Sequence, residues 1–108
     1  MTVIDFANQY SLSALALPDG GREIKGCYTG DLLSWVMGRA KADDAWITIM
    51  SNPNIVAVAT LADVACVILA EGVTPEDDVI KTACEKGVNL LKSEEDAFRT
   101  ALIVGQII

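Results

Sequence analysis

The chain has no histidine at all, and its 108 residues include only three cysteines and eight Lys plus Arg. Without histidine there can be no Ser-His-Asp triad, no imidazole general base and no His-ligated metal. Cys27, Cys66 and Cys84 are odd in number, far apart and free of any C-x-x-C spacing. They read as small buried hydrophobes in a reducing compartment rather than as a disulfide framework or a zinc site. No two basic residues are adjacent and the net charge is −7. Phosphate backbones and anionic membrane surfaces are therefore unsuitable partners. Glycine is sparse where nucleotides would need it: there is no G-x-x-x-x-G-K-[ST] and no G-x-G-x-x-G, so no loop cradles a phosphate. The longest apolar run, Ile55 to Ala70, is broken by Thr60 and Asp63 and is too short to span a bilayer. The opening TVIDFANQY has an early Asp and no basic region, unlike a secretory leader. These absences predict a soluble cytoplasmic protein with no metal and no cofactor.

Hydrophobic residues make up 52% of the chain and aromatics only 6%. The core must then be mostly Ala, Val, Ile and Leu, the mix expected of helices on a parallel sheet, in a single domain over 1–108. Residues 2–9 read as a short helix. Leu12 to Leu17 reads as a strand, Pro18-Asp19-Gly20-Gly21 as a turn, and 22–28 as a returning arm, which together predict a hairpin. From Thr29 the apolar positions Leu32, Leu33, Val36, Met37 and Ala40 mark one helical face, with Thr29 as its N-cap. Residues 45–50 and 66–69 are nearly all apolar, as strands covered on both faces are. IVAVAT, between them, is β-branched enough to be a strand. Asn52-Pro53 is nevertheless a helix-start signature, and a helix over 53–62 supplies the crossover that two parallel strands need. Thr74 and Pro75 open a helix that Gly87 closes, 88–91 is a short strand, and Ser93 caps a final helix. The expected fold is α/β, a three-layer α/β/α sandwich with a mixed, mainly parallel sheet.

In such a sheet the loops leaving the carboxyl ends of parallel strands gather on one edge, where ligands commonly bind. Those loops carry Asp31, Ser51, Asn52, Asn54, Glu71, Gly72 and Thr74, which are the candidate ligand-binding residues. Helix capping by itself accounts for Thr29, Asn52, Thr74 and Ser93; capping together with a ligand is the functional reading. No catalytic residue is assigned. Trp35 lies beside Arg39 outside its helix's apolar arc, and the last helix carries Ile103, Val104, Ile107 and Ile108 as well as an apolar Phe98–Leu102 face. A helix apolar all round is buried all round, so these residues predict a homodimer interface.

The strings GCYTGDLLSWVMG, WITIMSNPNIVAVATLADVACVILAEGVTPEDDVI and GVNLL resemble the DRTGG domain family from about residue 24 onward. Such domains are similar to the N-terminal domain of HPr kinase/phosphorylase, and the chain looks most like stand-alone bacterial versions associated with hydrogenase-type genes. The resemblance implies a regulatory or dimerising role beside a partner such as a redox enzyme. It implies no kinase chemistry, because that belongs to a separate P-loop domain. The naming motif is altered: Ser51-Asn52-Pro53 stands where the family has Gly-Asp-Arg, and Ala70-Glu71-Gly72 where it has Thr-Gly-Gly. The function expected is therefore a non-catalytic regulatory domain that binds a small ligand, a nucleotide or anion among the options, or a partner enzyme. The alternative is a purely structural interaction module.

Overall fold

The computed structural model describes residues 1–108. In chain order the elements are α1 (Val3–Gln9), β1 (Ser13–Ala16), β2 (Gly26–Thr29), α2 (Leu33–Arg39), β3 (Asp44–Thr48), α3 (Asn54–Ala62), β4 (Cys66–Leu69), α4 (Asp77–Lys86), β5 (Leu90–Lys92) and α5 (Ala97–Gly105). One five-stranded sheet runs β1-β5-β4-β3-β2. Strands β2 to β5 are mutually parallel, and β1 joins β5 antiparallel. The mixed, mainly parallel sheet is thus as expected.

Side-chain alternation along β3 and β4 divides the core in two. Trp46, Val67 and Leu69 enter one core with Val36 of α2, Ile55 and Val58 of α3 and Val79 of α4. Ala45, Ile47, Cys66 and Ile68 enter the other with Val3 and Phe6 of α1 and Val104 of α5. The result is a three-layer sandwich with α2, α3 and α4 on one face and α1 and α5 on the other. No helix is long and apolar enough to cross a membrane.

The expected hairpin over 12–28 does not form: β1 and β2 lie at opposite edges of the sheet. The turn after β1 is present, with the Arg22 N–H donating to the Asp19 carbonyl, but long-range bonds carry the chain past it. Buried Asn89 accepts from the Asp19 N–H and donates to the carbonyls of Asp19 and Ala65. Arg22 then reaches Asp43 at 3.0 Å and Asp63 at 2.9 Å, the residues that precede β3 and lead into β4. Both aspartates sit in the left-handed region, at φ 69° and 58°, a conformation that Asp tolerates better than most residues. Segment 18–25 therefore runs along the amino rim of the sheet and delivers β2 to the far edge. A local turn signal lost to non-local charge pairing.

Burial works against the Arg22 charge, but hydrogen bonds and attraction from Asp43 and Asp63 outweigh it and hold the guanidinium above its ordinary range. Arg22→Ala leaves Asp63 without its cation and Asp43 with only the more distant Lys25 at 3.7 Å, and should lower stability by about 2 kcal/mol, read as a shifted urea midpoint. The thiols give a second test. Burial pushes Cys66 up to about 12, with small further effects from Cys27 and Arg22. Burial also raises Cys27, against a hydrogen bond with Thr29. A folded-state pKa above the unfolded value of about 8.5 contributes stability that is complete below that pH and lost as pH rises toward the folded value. Native protein at pH 8 should show rapid thiol labelling only at exposed Cys84, with Cys66 labelled only after unfolding, and stability should fall from pH 9 upward.

Candidate functional site

Parallel pairing brings the carboxyl ends of β2, β3, β4 and β5 together: Thr29 is level with Ile47, Thr48 with Leu69, and Leu69 with Lys92. The four following loops consequently share one rim, and Asp31, Ser51, Asn52, Asn54, Glu71, Gly72 and Thr74 all lie on it. Asn52 caps its helix there, while Asp31 and Thr74 do not cap theirs.

Asp31 is not in the first turn of a helix. Its Oδ1 accepts from the Thr48 hydroxyl at 2.8 Å and the Ile49 N–H at 3.0 Å, tying the β2 loop to the end of β3. Thr29 ends β2 instead of capping α2, which starts at Leu33 with no side-chain cap. The indole of buried Trp46 donates to the Gly30 carbonyl at 2.9 Å and braces the same turn. Asn52 behaves as its sequence suggests: its Oδ1 accepts from the Asn54 N–H at 2.9 Å and its carbonyl accepts from Ile55. The start of α3 is thereby satisfied, and Asn52 keeps the two N–H donors of its side-chain amide.

On the other half of the rim the chain stitches itself shut. The crossover after β4 leads to α4 on one face and that after β5 to α5 on the opposite face, the arrangement that usually opens a crevice between two strands. Here the Glu71 N–H donates to the Glu95 carbonyl at 2.8 Å and the Gly72 N–H to the Ser93 carbonyl at 2.9 Å. The Glu94 side chain, paired with Lys92 at 3.3 Å, covers Gly72. Ser93 does not cap α5. It is buried, bonds Thr100 at 2.9 Å and accepts from Glu95, while Asp96 caps α5 through the Arg99 N–H. Thr74 likewise precedes α4 without capping it, since that helix starts at Asp77. Thr74, Pro75, Glu76, Asp77 and Asp78 line an open hollow of about 620 Å³.

The rim is rich in acceptors. The rim loops and the helix starts that follow them carry Glu71, Glu76, Asp77, Asp78, Glu94, Glu95 and Asp96 against a single lysine, Lys92, which Glu94 already engages. A bare polyphosphate would meet like charge on nearly every side. No group of three or more His, Cys, Asp or Glu is placed to hold a metal ion.

The proposed interface residues separate. Trp35 is about half exposed, with the Arg39 guanidinium 3.8 Å from its ring centre. Val104 is wholly buried in the chain's own core, and Ile103 and Ile107 pack against that core half-buried. Val104 is thus taken up by the chain's own core, Ile103 and Ile107 keep part of their surface, and Ile108 is exposed. The open face of α5 is the other one, Phe98, Ala101, Leu102 and Gly105, along a groove of about 390 Å³. At 100° per residue these residues fall on one arc opposite Thr100, Val104 and Ile107. The helical wheel could have shown this, because Thr100 and Val104 share the inner arc.

Glu71 and Gly72 both have positive φ, 62° and 68°, so the loop keeps the backbone of a two-glycine turn with a glutamate in the first place. Glu71→Gly should stabilise the fold by about 0.5–1 kcal/mol, the left-handed cost less the extra entropy of glycine. Gly72→Ala should cost about 1–2 kcal/mol, since its Cβ would also come within 2.6 Å of Glu94 Oε2. Thermal melts of both variants decide the point, and equal effects of the same sign would contradict the strained-turn account.

The family model described as the DRTGG domain matches residues 30–107. Among solved structures, the chain is similar to the CBS and DRTGG domains of the regulatory region of Clostridium perfringens pyrophosphatase, a crystal structure complexed with the activator diadenosine tetraphosphate. The TM-score is 0.78 at 15% identity, over 95% of this chain and 45% of that one. At that identity the likeness is one of fold, and the chain spans less than half of its neighbour's length. No curated protein matches the chain.

Proposed function

We propose that this chain, which belongs to the DRTGG domain family, is a non-catalytic regulatory module that takes a small ligand or a partner enzyme on its strand-end rim and works as a homodimer. The observation that carries the reading is the convergence of all four parallel-strand loops on one rim, with side-chain amides and hydroxyls left to face outward. The backbone donors there are largely taken: those of Glu71 and Gly72 by the β5 loop, and that of Asn54 by Asn52. Recognition then falls to side chains, namely the Asn52 amide, Asn54, Ser51, Thr74 and the surrounding carboxylates. A rim of that kind suits a ligand that presents N–H, O–H or cationic groups, and it accepts a polyphosphate only with a divalent cation between the two. The regulatory role is supported by the family and by the regulatory setting of the pyrophosphatase neighbour. Glu71 and Asp31, each engaged through its own loop, would shape the pocket, and Gly72 would permit close approach.

A second reading, a structural interaction module with an empty rim, is favoured by the exposed Trp35, Phe98 and Leu102 side chains. Calorimetric titration separates the two. The panel holds adenosine, AMP, ATP and diadenosine tetraphosphate, each with and without Mg²⁺, together with small amines. The regulatory-ligand reading expects saturable binding of at least one compound, weakened about tenfold or more by Asn52→Ala through loss of an amide donor to the ligand. It also expects polyphosphates to bind only with Mg²⁺. Absence of heat across the panel leaves the interaction module standing alone.

A further inference from the structure

The sheet has two edges, and the chain treats them differently. An open edge offers unpaired N–H and C=O groups to any passing strand, so edges are normally blunted by bulges, prolines or charges. The β1 edge has such a device, since its pairing with β5 shifts register between Ala14 and Ala16, and Pro18 follows soon after. The β2 edge has none. Gly26, Cys27, Tyr28 and Thr29 run in regular register with β3, without bulge, proline or charge. Every second residue of β2 turns its backbone groups away from the sheet.

Helix α2 joins β2 to β3 over one face, and α5 lies over β2 and β3 on the other. These two flanking helices hold much of the exposed apolar surface of the chain: Leu32, Trp35 and Met37 with α2, and Phe98 and Leu102 on α5. None of the 15 acidic residues falls within 24–30, 32–42 or 97–108. The cations there are few and dispersed: Lys25 reaches Asp43 at 3.7 Å, Arg99 reaches Glu95 at 3.7 Å, Arg39 stacks on Trp35 and keeps its charge, and Lys41 makes no ion pair, while Asp31, Asp43 and Asp44 border the same segments. In a chain of net charge −7 this edge is close to neutral.

From these features we infer that the β2 edge, flanked by the outer faces of α2 and α5, is where a second copy of the chain docks, its β2 pairing antiparallel with the first across a two-fold axis. A two-fold contact sets a patch against itself, so a patch of strong single-sign charge would repel its own copy. The acidic remainder of the surface would do so, and the near-neutral edge does not. A strongly basic partner finds its complement at the acidic rim instead. The antiparallel pair satisfies the open backbone groups of both copies and joins two five-stranded sheets into one. The inference rests on the homodimer part of the reading above and names its surface; it is independent of any ligand at the rim.

Sedimentation velocity across a concentration range, with amide exchange followed over 26–29, tests it. The expected result is a species of twice 11.5 kDa whose 26–29 amides exchange at least about tenfold more slowly than in diluted monomer. Trp35→Asp and Phe98→Asp, both at exposed positions, should weaken association by about tenfold or more with the circular dichroism of the monomer unchanged. A chain that stays monomeric at all concentrations overturns the inference. So does a dimer in which amides 26–29 exchange as fast as in monomer, or one indifferent to both substitutions. Rim binding measured on the monomeric variants reports on the ligand reading separately.

Discussion

From Asp44 to Leu69 two adjacent parallel strands lose both faces to protein. Every residue of β3 and β4 is buried, with odd and even positions filling separate cores. A parallel pair cannot be closed by a tight turn, so each step needs a crossover helix, and these helices must cover the apolar strands they connect. Three crossovers in one sense place α2, α3 and α4 on one face. The other face would then be bare but for α1 and α5, which come from the two ends of the chain. The rim and the open edge both follow from this arrangement. Like-directed strands bring their following loops to one side, and a sheet of five strands leaves its outermost members half-paired.

Where a signal was local and strong, the sequence could be read directly. β4 is an unbroken apolar run and β3 an apolar centre between Asp44 and Thr48, and Asn52-Pro53 decided for helix α3 against the β-branched content of IVAVAT, because a cap and a preset φ act within one turn. The hairpin reading failed because a Pro-Asp-Gly-Gly turn fixes a change of direction and says nothing about which strand is paired next. That choice was made by Asn89, 70 residues from Asp19, and by Arg22 reaching Asp43 and Asp63. The helix starts were misread for a related reason. Thr29, Thr74 and Ser93 belong to the preceding loop in three different ways: Thr29 closes a strand, Thr74 stands ahead of α4, and Ser93 turns inward to Thr100. A hydroxyl that can cap can equally bond elsewhere, and the spacing of one residue cannot distinguish the two.

The rim holds a backbone conformation without the residue type that favours it. Glu71 holds a left-handed conformation that a glycine would take without strain, and the loop still closes onto Ser93 and Glu95. The family motif that the chain resembles has arginine and glycine where Pro53 and Glu71 stand, which implies one cation fewer and one carboxylate more on this rim. Both differences act against an anion and neither disturbs the strand ends that define the rim. The position of the rim was therefore legible from the order of strands alone, whereas its charge depends on side chains that had to be placed before they could be compared.

The β2–α2 turn is the piece that rim and edge have in common. Asp31 is fastened to β3 through Thr48 and Ile49, and the next residue, Leu32, begins the helix that carries Trp35. A group at the rim that competed for the Asp31 carboxylate would have to break bonds worth about 1.5–3 kcal/mol each before the turn could move. A ligand that merely adds to the rim while leaving Asp31 in place has no such leverage on α2. Coupling is reciprocal, so a dimer contact that held α2 still would strengthen the Asp31 clamp by the same amount that rim occupation weakened the contact. Bonds of this strength would set the ceiling, a coupling on the order of 1–3 kcal/mol, and the Asp31 carboxylate and the Trp46 indole on Gly30 would both hold the turn against it.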